Sequence, residues 1–103
     1  MINTVSRISV AEFCECEGIR RSVLVELVQY DIARPVAGSS SEEWEFDVSS
    51  AHWMKRAIRL RRDLDLDWVA TAMLIDLLRE REALRGENAR LRQRLDRFLA
   101  GEQ

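Results

Sequence analysis

The chain has 103 residues, 47% hydrophobic and 33% charged, which predicts one globular domain with at most an appended helix. One proline and four glycines argue against a loop-rich or all-β fold. No apolar run approaches the roughly 20 residues of a membrane span, and no signal-peptide pattern opens the sequence, so the chain is expected to be cytoplasmic. The formal net charge of −2 is divided unevenly, because residues 1–54 carry four basic and nine acidic side chains whereas residues 55–103 carry 12 basic and nine acidic ones.

Two short helices are predicted at the N-terminal end. Ser9 stands three residues before Glu12, the spacing of a reciprocal capping box, and predicts a helix from about Val10 to Glu17 that ends at Gly18. Apolar residues at helical spacing predict a second helix over residues 20–31. Two helices joined by a tight turn with glycine are typical of a helix-turn-helix unit.

A small β wing and a third helix follow. The alternating Trp44-Glu45-Phe46 predicts a half-buried strand, for which Val36 is a candidate partner. Asp47 or Ser49 is expected to cap a helix of about residues 50–63. Its apolar stripe faces the head (Trp53, Met54, Ala57, Ile58, Leu60, Leu64), and basic side chains coat its other side (Lys55, Arg56, Arg59, Arg61, Arg62).

A long last helix is predicted from Trp68 to about Ala100, with Asp67 as its N-cap. Its first three turns are apolar nearly all round, which predicts burial on more than one side. The chain is thus expected to be mainly all-α, with a winged helix-turn-helix head over residues 1–66 and a long C-terminal helix over residues 67–103.

The last helix carries a heptad seam that predicts a homodimer. Leu77, Leu84, Leu91 and Phe98 recur every seven residues and form one core position of the heptad. Asn88 and Leu95 stand at the other core position, and asparagine there is the residue type that fixes the register of a helical pair. In a parallel pair, Glu80 would meet Arg85 and Glu87 would meet Arg92 of the other chain. The alternative is a solvated amphipathic helix that folds back on its own head, and the strand direction of a dimer is left open.

The sequence offers no catalytic, cofactor or metal site. His52 is the single histidine and stands apart from any nucleophile, and the glycines are isolated rather than grouped in a phosphate loop. Cys14 and Cys16 point about 200° apart on a helix, which excludes an unstrained disulfide between them, and they are expected to be structural thiols. An enzyme is therefore not expected.

The order of elements resembles the MerR superfamily of transcription regulators. The predicted recognition helix, however, offers Glu26 and no cation beyond Arg20 and Arg21, and residues 42–47 of the wing contain four carboxylates. Carboxylates repel phosphates, so this head argues against direct DNA binding and favours a basic protein surface as partner.

Over residues 10–99 the chain also resembles the CbpM chaperone-modulator family. The resemblance lies in the order and spacing of five short pieces: Glu12-Phe13-Cys14, Trp44-x-Phe46-Asp47, Arg56-Ala57-x-Arg59-Leu60-Arg61, Leu66-Asp67-Trp68 and Glu87-Asn88-x-x-Leu91-Arg92-Gln93-Arg94-Leu95-x-Arg97-Phe98. It implies a non-enzymatic protein that binds the J-domain of CbpA, a DnaJ-like co-chaperone, and thereby blocks its stimulation of the Hsp70 chaperone DnaK and reduces its DNA binding.

Charge complementarity with a basic helix of a J-domain gives a candidate contact set. The acidic members are Glu15, Glu26, Asp31, Glu43 and Glu45, and the candidate aromatic anchors are Tyr30 and Trp44, although Trp44 also fits the wing core. Two other functions stay open. One is a MerR-like DNA regulator that binds through the basic third helix, and the other is an anti-sigma or other transcription adaptor.

Overall fold

The computed structural model describes residues 6–101, which form four helices and a two-stranded sheet. In chain order the elements are β1 (Arg7–Ser9), α1 (Val10–Glu17), α2 (Arg21–Gln29), β2 (Glu45–Asp47), α3 (Val48–Leu64) and α4 (Trp68–Gly101). The mainly α-helical class, with a small β element and a long C-terminal helix, is confirmed. Residues 1–5 and 102–103, which the predicted ranges of head and tail include, lie outside the described part of the chain.

Helix α1 has the predicted caps. The backbone N–H of Glu12 donates to Ser9 Oγ at 3.2 Å, and the backbone N–H of Ser9 donates to Glu12 Oε1 at 2.9 Å. Gly18 ends the helix in the left-handed region with φ of 66°, a conformation that glycine adopts without a Cβ penalty. Val10 and Phe13 are buried. Local hydrogen-bond chemistry therefore sets both ends of this helix.

Helix α2 is shorter than the predicted range of residues 20–31. Asp31 adopts a left-handed φ of 60°, and the chain then turns back so that Ile32 N–H donates to Leu27 O at 2.9 Å. This turn buries Ile32 and Ala33 against the core, and the gain from burying apolar surface favours it over another helical turn.

The partner predicted for the wing strand is only the smaller part of its pairing. β2 pairs antiparallel along its length with β1, with Phe46 opposite Ile8, a partner that the sequence did not indicate. The Val36 segment contributes a single bridge, in which Val36 N–H donates to Glu45 O at 2.8 Å and Glu45 N–H donates to Ala37 O at 3.0 Å. Phe46 is fully buried, so the pairing with β1 closes the sheet over the core.

Helix α3 begins two residues earlier than predicted because Asp47 caps it, accepting from Ser50 N–H at 2.8 Å. Trp53, Met54 and Ala57 are buried as predicted. Leu64 is not part of the buried stripe, because the helix ends there and leaves it 57% exposed.

Helix α4 is 34 residues long, which corresponds to about 51 Å. Asp67 caps it, accepting from Ala70 N–H at 2.7 Å. Trp68, Thr71 and Ile75 are buried against the head, whereas Val69 and Met73 are exposed, so the predicted burial of the first three turns on more than one side is not seen within residues 6–101. From residue 80 to residue 101 every side chain except at Gly86 is exposed, so the helix projects from the head rather than folding back on it.

One apolar core joins all the helices. Its buried members come from both sides of the predicted boundary at residue 66, and that division stays a prediction. They are Val10, Phe13, Leu24, Leu27, Ile32, Ala33, Phe46, Trp53, Met54, Ala57, Trp68 and Ile75.

Candidate partner-binding and dimerisation surfaces

The outer face of helix α2 is the surface that would read DNA in a helix-turn-helix protein. Between Ser22 and Gln29 this helix has no arginine or lysine. The cation at its start, Arg21, lies 3.8 Å from Glu42 of the wing. The local field on this face is therefore not one that attracts phosphates.

Three of the predicted acidic contact residues keep an uncompensated charge. Glu15 and Glu43 are exposed, and Glu26 is half-buried on the outer part of α2. Glu43 accepts a hydrogen bond from the Ser39 hydroxyl at 3.1 Å, and within residues 6–101 none of the three carboxylates lies in an ion pair. These three residues remain available to a basic partner.

The other two predicted acids are paired with arginines of their own chain. Arg34 donates to both carboxylate oxygens of Asp31, at 2.9 and 3.1 Å, and these bonds lower the pKa of Asp31. Glu45 lies 3.5 Å from Arg7 across the sheet. Because these arginines partly offset their charges, Asp31 and Glu45 present less free negative charge at the surface than the sequence alone indicated.

The two candidate aromatic anchors differ in exposure. Tyr30 is 41% exposed and stacks on Trp68 with ring centroids 6.3 Å apart. Trp44 is half-buried, packs against the core and meets Phe46 edge to face. Tyr30 is therefore placed to contact a partner, whereas Trp44 chiefly packs the wing.

The predicted dimerisation residues lie on one face of α4. Leu77, Leu84, Leu91, Leu95 and Phe98 are 56–63% exposed, and Asn88 is exposed as well. At 100° per residue this face is opposite to the one that Thr71 and Ile75 bury against the head.

Sequence reasoning missed two members of this apolar face. Val69 and Met73 are 57% and 62% exposed and extend the face by more than one turn toward the head. Their pattern was hidden because the start of α4 is apolar on all sides, so that only the packing of Trp68 and Ile75 separates an inner from an outer face.

Charged side chains flank the apolar face of α4. Glu80 and Arg85 line a shallow groove with Leu77, Leu84 and Asn88. Within residues 6–101, Glu80, Arg85, Glu87 and Arg92 form no ion pair with one another or with other side chains of the chain.

The cations of α3 do not all lie in solvent. Arg61 packs over the Trp68 ring at 4.3 Å, and Arg56 over the Trp53 ring at 5.0 Å. Arg79 of α4 also covers Trp53 and donates to Ile32 O at 2.6 Å. For Arg61 the prediction that it coats the side of α3 away from the head is wrong, because its guanidinium stacks on the ring of Trp68.

The two cysteines lie on helix α1 and the histidine lies on helix α3. Cys14 is half-buried and Cys16 is exposed, and burial raises the pKa of the Cys14 thiol although Arg21 acts in the opposite direction. His52 is exposed and lies edge-on to Trp53. Among residues 6–101, no three His, Cys, Asp or Glu side chains are grouped to hold a metal ion.

Of the helices between residues 6 and 101, none combines the length and the apolar character that crossing a membrane requires.

Comparison with known proteins gives a consistent match over almost the whole chain. Residues 8–93 match the model of the MerR HTH family regulatory proteins. The chain is 38% identical to the chaperone modulatory protein CbpM of Citrobacter koseri, over 96% of this chain and 97% of that protein. It is 34% identical to the protein of the same name from Pseudomonas entomophila, over 91% and 92% of the two chains.

Proposed function

Since the chain belongs to the CbpM chaperone-modulator family and to the MerR-type helix-turn-helix regulatory proteins, we propose that it is a non-enzymatic modulator of a co-chaperone. It binds the J-domain of a CbpA/DnaJ-like protein in the cytoplasm. By occupying that domain it inhibits the stimulation of DnaK and reduces the co-chaperone's DNA binding. It does not itself bind DNA directly.

The observation that carries this proposal is the chemistry of helix α2. A helix in the recognition position that presents Glu26, and whose initial Arg21 faces Glu42, is suited to a cationic polypeptide rather than to phosphates. Glu15 and Glu43 add charge on neighbouring elements, and Tyr30 adds an exposed ring. The partner supported by these groups is a basic helix such as that of a J-domain.

The active form of this modulator is a homodimer joined through α4. The exposed apolar face from Val69 to Phe98 would otherwise leave seven large side chains in water. Asn88 stands at a core position of the heptad, and the flanking Glu80, Arg85, Glu87 and Arg92 form no ion pair within residues 6–101. Both features are expected of a two-stranded helical pair.

The test is titration of the full chain with a purified J-domain, using Glu26→Lys and Glu43→Lys. Each reversal is expected to weaken affinity about tenfold, which corresponds to about 1.4 kcal/mol, and the wild-type affinity is expected to fall with salt. Asp96→Lys, on exposed α4, is the matched control and should leave affinity unchanged. Unaltered binding by both head variants, with native circular dichroism, would show that the acidic contact is misplaced.

The alternative is a MerR-type DNA regulator, which the exposed cations of α3, above all Arg59, would favour. A mobility shift with random and genomic duplexes at about 0.1 M salt separates the two functions. Non-specific binding under such conditions has a dissociation constant of about 1–100 µM, so tight and sequence-specific retardation would establish the alternative.

A further inference from the structure

The outer face of helix α3 is a second surface, distinct from the acidic face of the head. It combines a cluster of cations with an exposed apolar side chain at its N-terminal end. We propose that this face binds an acidic peptide segment that carries an apolar side chain, presented by another protein.

The residues of this face lie along one side of the helix. Val48, His52, Lys55 and Arg59 follow at intervals of four, three and four residues, so at 100° per residue they point in nearly the same direction. The opposite side of α3 buries Trp53, and among residues 6–101 the outer side keeps Val48, His52 and Arg59 exposed. The four residues span about 17 Å, the length of about five residues of extended peptide.

The apolar part of the face lies in a shallow cleft of about 350 Å³. Val48 is 65% exposed at the rim of this cleft, and Ala51 lines it beside the cationic residues. Covering Val48 would remove apolar surface from water, which a ligand made only of charged groups does not achieve. The occupant is therefore expected to bring one apolar side chain.

The free positive charge of this face is centred on Arg59, because Lys55 and Arg56 are paired with carboxylates of the same chain. Two arginines, one lysine and His52 line the cleft with no carboxylate among its lining residues. Arg59 is exposed and forms no ion pair within residues 6–101, whereas Lys55 lies 3.7 Å from Glu17 and Arg56 lies 2.7 Å from Glu82. At the N-terminal end of α3 the carboxylate of Asp47 already caps the helix. An anionic group is thus favoured at the Arg59 end of the cleft.

An acidic peptide fits this face better than a nucleic acid. Glu17 and Glu82 already contact two of the cations from the sides, and a duplex, with one phosphate charge per about 1.7 Å, would meet these carboxylates. A peptide places only a few carboxylates on the face, and it can supply an apolar side chain that covers the exposed Val48. Peptide recognition of this kind combines an apolar anchor with charge complementarity.

The experiment uses the full chain and a fluorescent peptide of about nine residues, glutamates and aspartates around one central leucine. Anisotropy is measured for this peptide, for the same peptide with serine in place of leucine, and for a random duplex of about twenty base pairs. The leucine peptide is expected to bind saturably and at least about fivefold more tightly than the serine peptide. Val48→Ser should abolish that difference.

Charge is tested by Arg59→Glu, which is expected to weaken binding of the leucine peptide at least about tenfold at low salt. Arg90→Glu makes the same charge change on exposed α4 and should have no effect. Equal binding by Arg59→Glu and wild type, absence of saturable binding, or tighter binding of the duplex would each overturn the proposal. A change of oligomeric state in Arg59→Glu would also overturn it, since the face would then be covered by a second copy.

Discussion

Truncation of one leucine in the apolar face of α4 is the most direct test of the proposed homodimer. Leu84 lies in the middle of the exposed face and makes no contribution to the buried core of the head. Because alanine has a higher helix propensity than leucine, Leu84→Ala should leave the folding of α4 intact. The change therefore acts on association alone.

The expected magnitude follows from the exposure of Leu84, which is 59% in one chain. Full burial of a leucine side chain is worth about 1.5–3 kcal/mol, so covering the exposed part is worth about 1–2 kcal/mol per chain. Both chains of a dimer carry the change, and alanine retains part of the surface, which gives a loss of about 2–3 kcal/mol per dimer. The dissociation constant should rise about 30- to 150-fold.

Sedimentation velocity over a range of protein concentrations measures this shift. Arg90→Ala, on the same helix but outside the apolar face, is the matched control and should associate like the wild type. The reasoning is refuted if Leu84→Ala and wild type have the same association constant, or if the wild-type chain stays monomeric up to about 0.1 mM.

Three further predictions concern the head. The hydrogen bonds from Ser9 lower the pKa of Glu12 from its ordinary value of 4.5, so the cap contributes its full stability above that pH and loses it as the pH falls through the lowered pKa. Urea titrations should therefore show the unfolding free energies of the wild type and Glu12→Gln converging as the pH falls below 4.5. Met54 is fully buried, so Met54→Ala leaves a cavity and should lower the unfolding free energy by about 2–5 kcal/mol in the same assay. Met54→Leu conserves the volume and should lower it by less than about 1.5 kcal/mol. Gly38 has φ of 98°, and a Cβ there would clash with the carbonyl oxygen of Glu43, so Gly38→Ala should lower the unfolding free energy by at least about 1 kcal/mol; an unchanged melting temperature would contradict that account.

Features that depend on near neighbours in the chain were predictable from the sequence. Ser9, Asp47 and Asp67 each accept a hydrogen bond from a backbone N–H three residues later, and this local chemistry correctly indicated the starts of α1 and α4. For α3 it left Asp47 and Ser49 as alternative caps, and the helix begins two residues before the predicted range. Periodicity likewise identified Trp53, Met54 and Ala57 as core residues. These signals do not require knowledge of the rest of the fold.

Features that depend on distant pairing were not predictable. The three residues of β1 pair with a strand 38 residues later, and three residues are too few to establish an alternating pattern. Leu64 matched the helical stripe but lies at the helix end, where the left-handed Asp65 turns the chain. Val69 and Met73 were expected to be buried, because the sequence of a helix that is apolar on all sides does not indicate which side faces the head.

The same limit applies to the candidate contact residues. Exposure and charge gave seven positions, but only tertiary structure assigns Arg34 to Asp31 and Arg7 to Glu45. Their pairing narrows the acidic set to Glu15, Glu26 and Glu43, which are accordingly the positions to alter first.

The projection of α4 away from the head has a consequence for valency. After Arg79 the helix leaves the globular part, so pairing of two tails beyond that residue would leave both copies of α2 accessible. The proposed homodimer would then carry two of the proposed partner-binding heads on one helical pair. If the target is itself a dimer, holding two binding heads together would raise the avidity about 10²- to 10⁴-fold without any new contact, provided that both heads can bind at the same time.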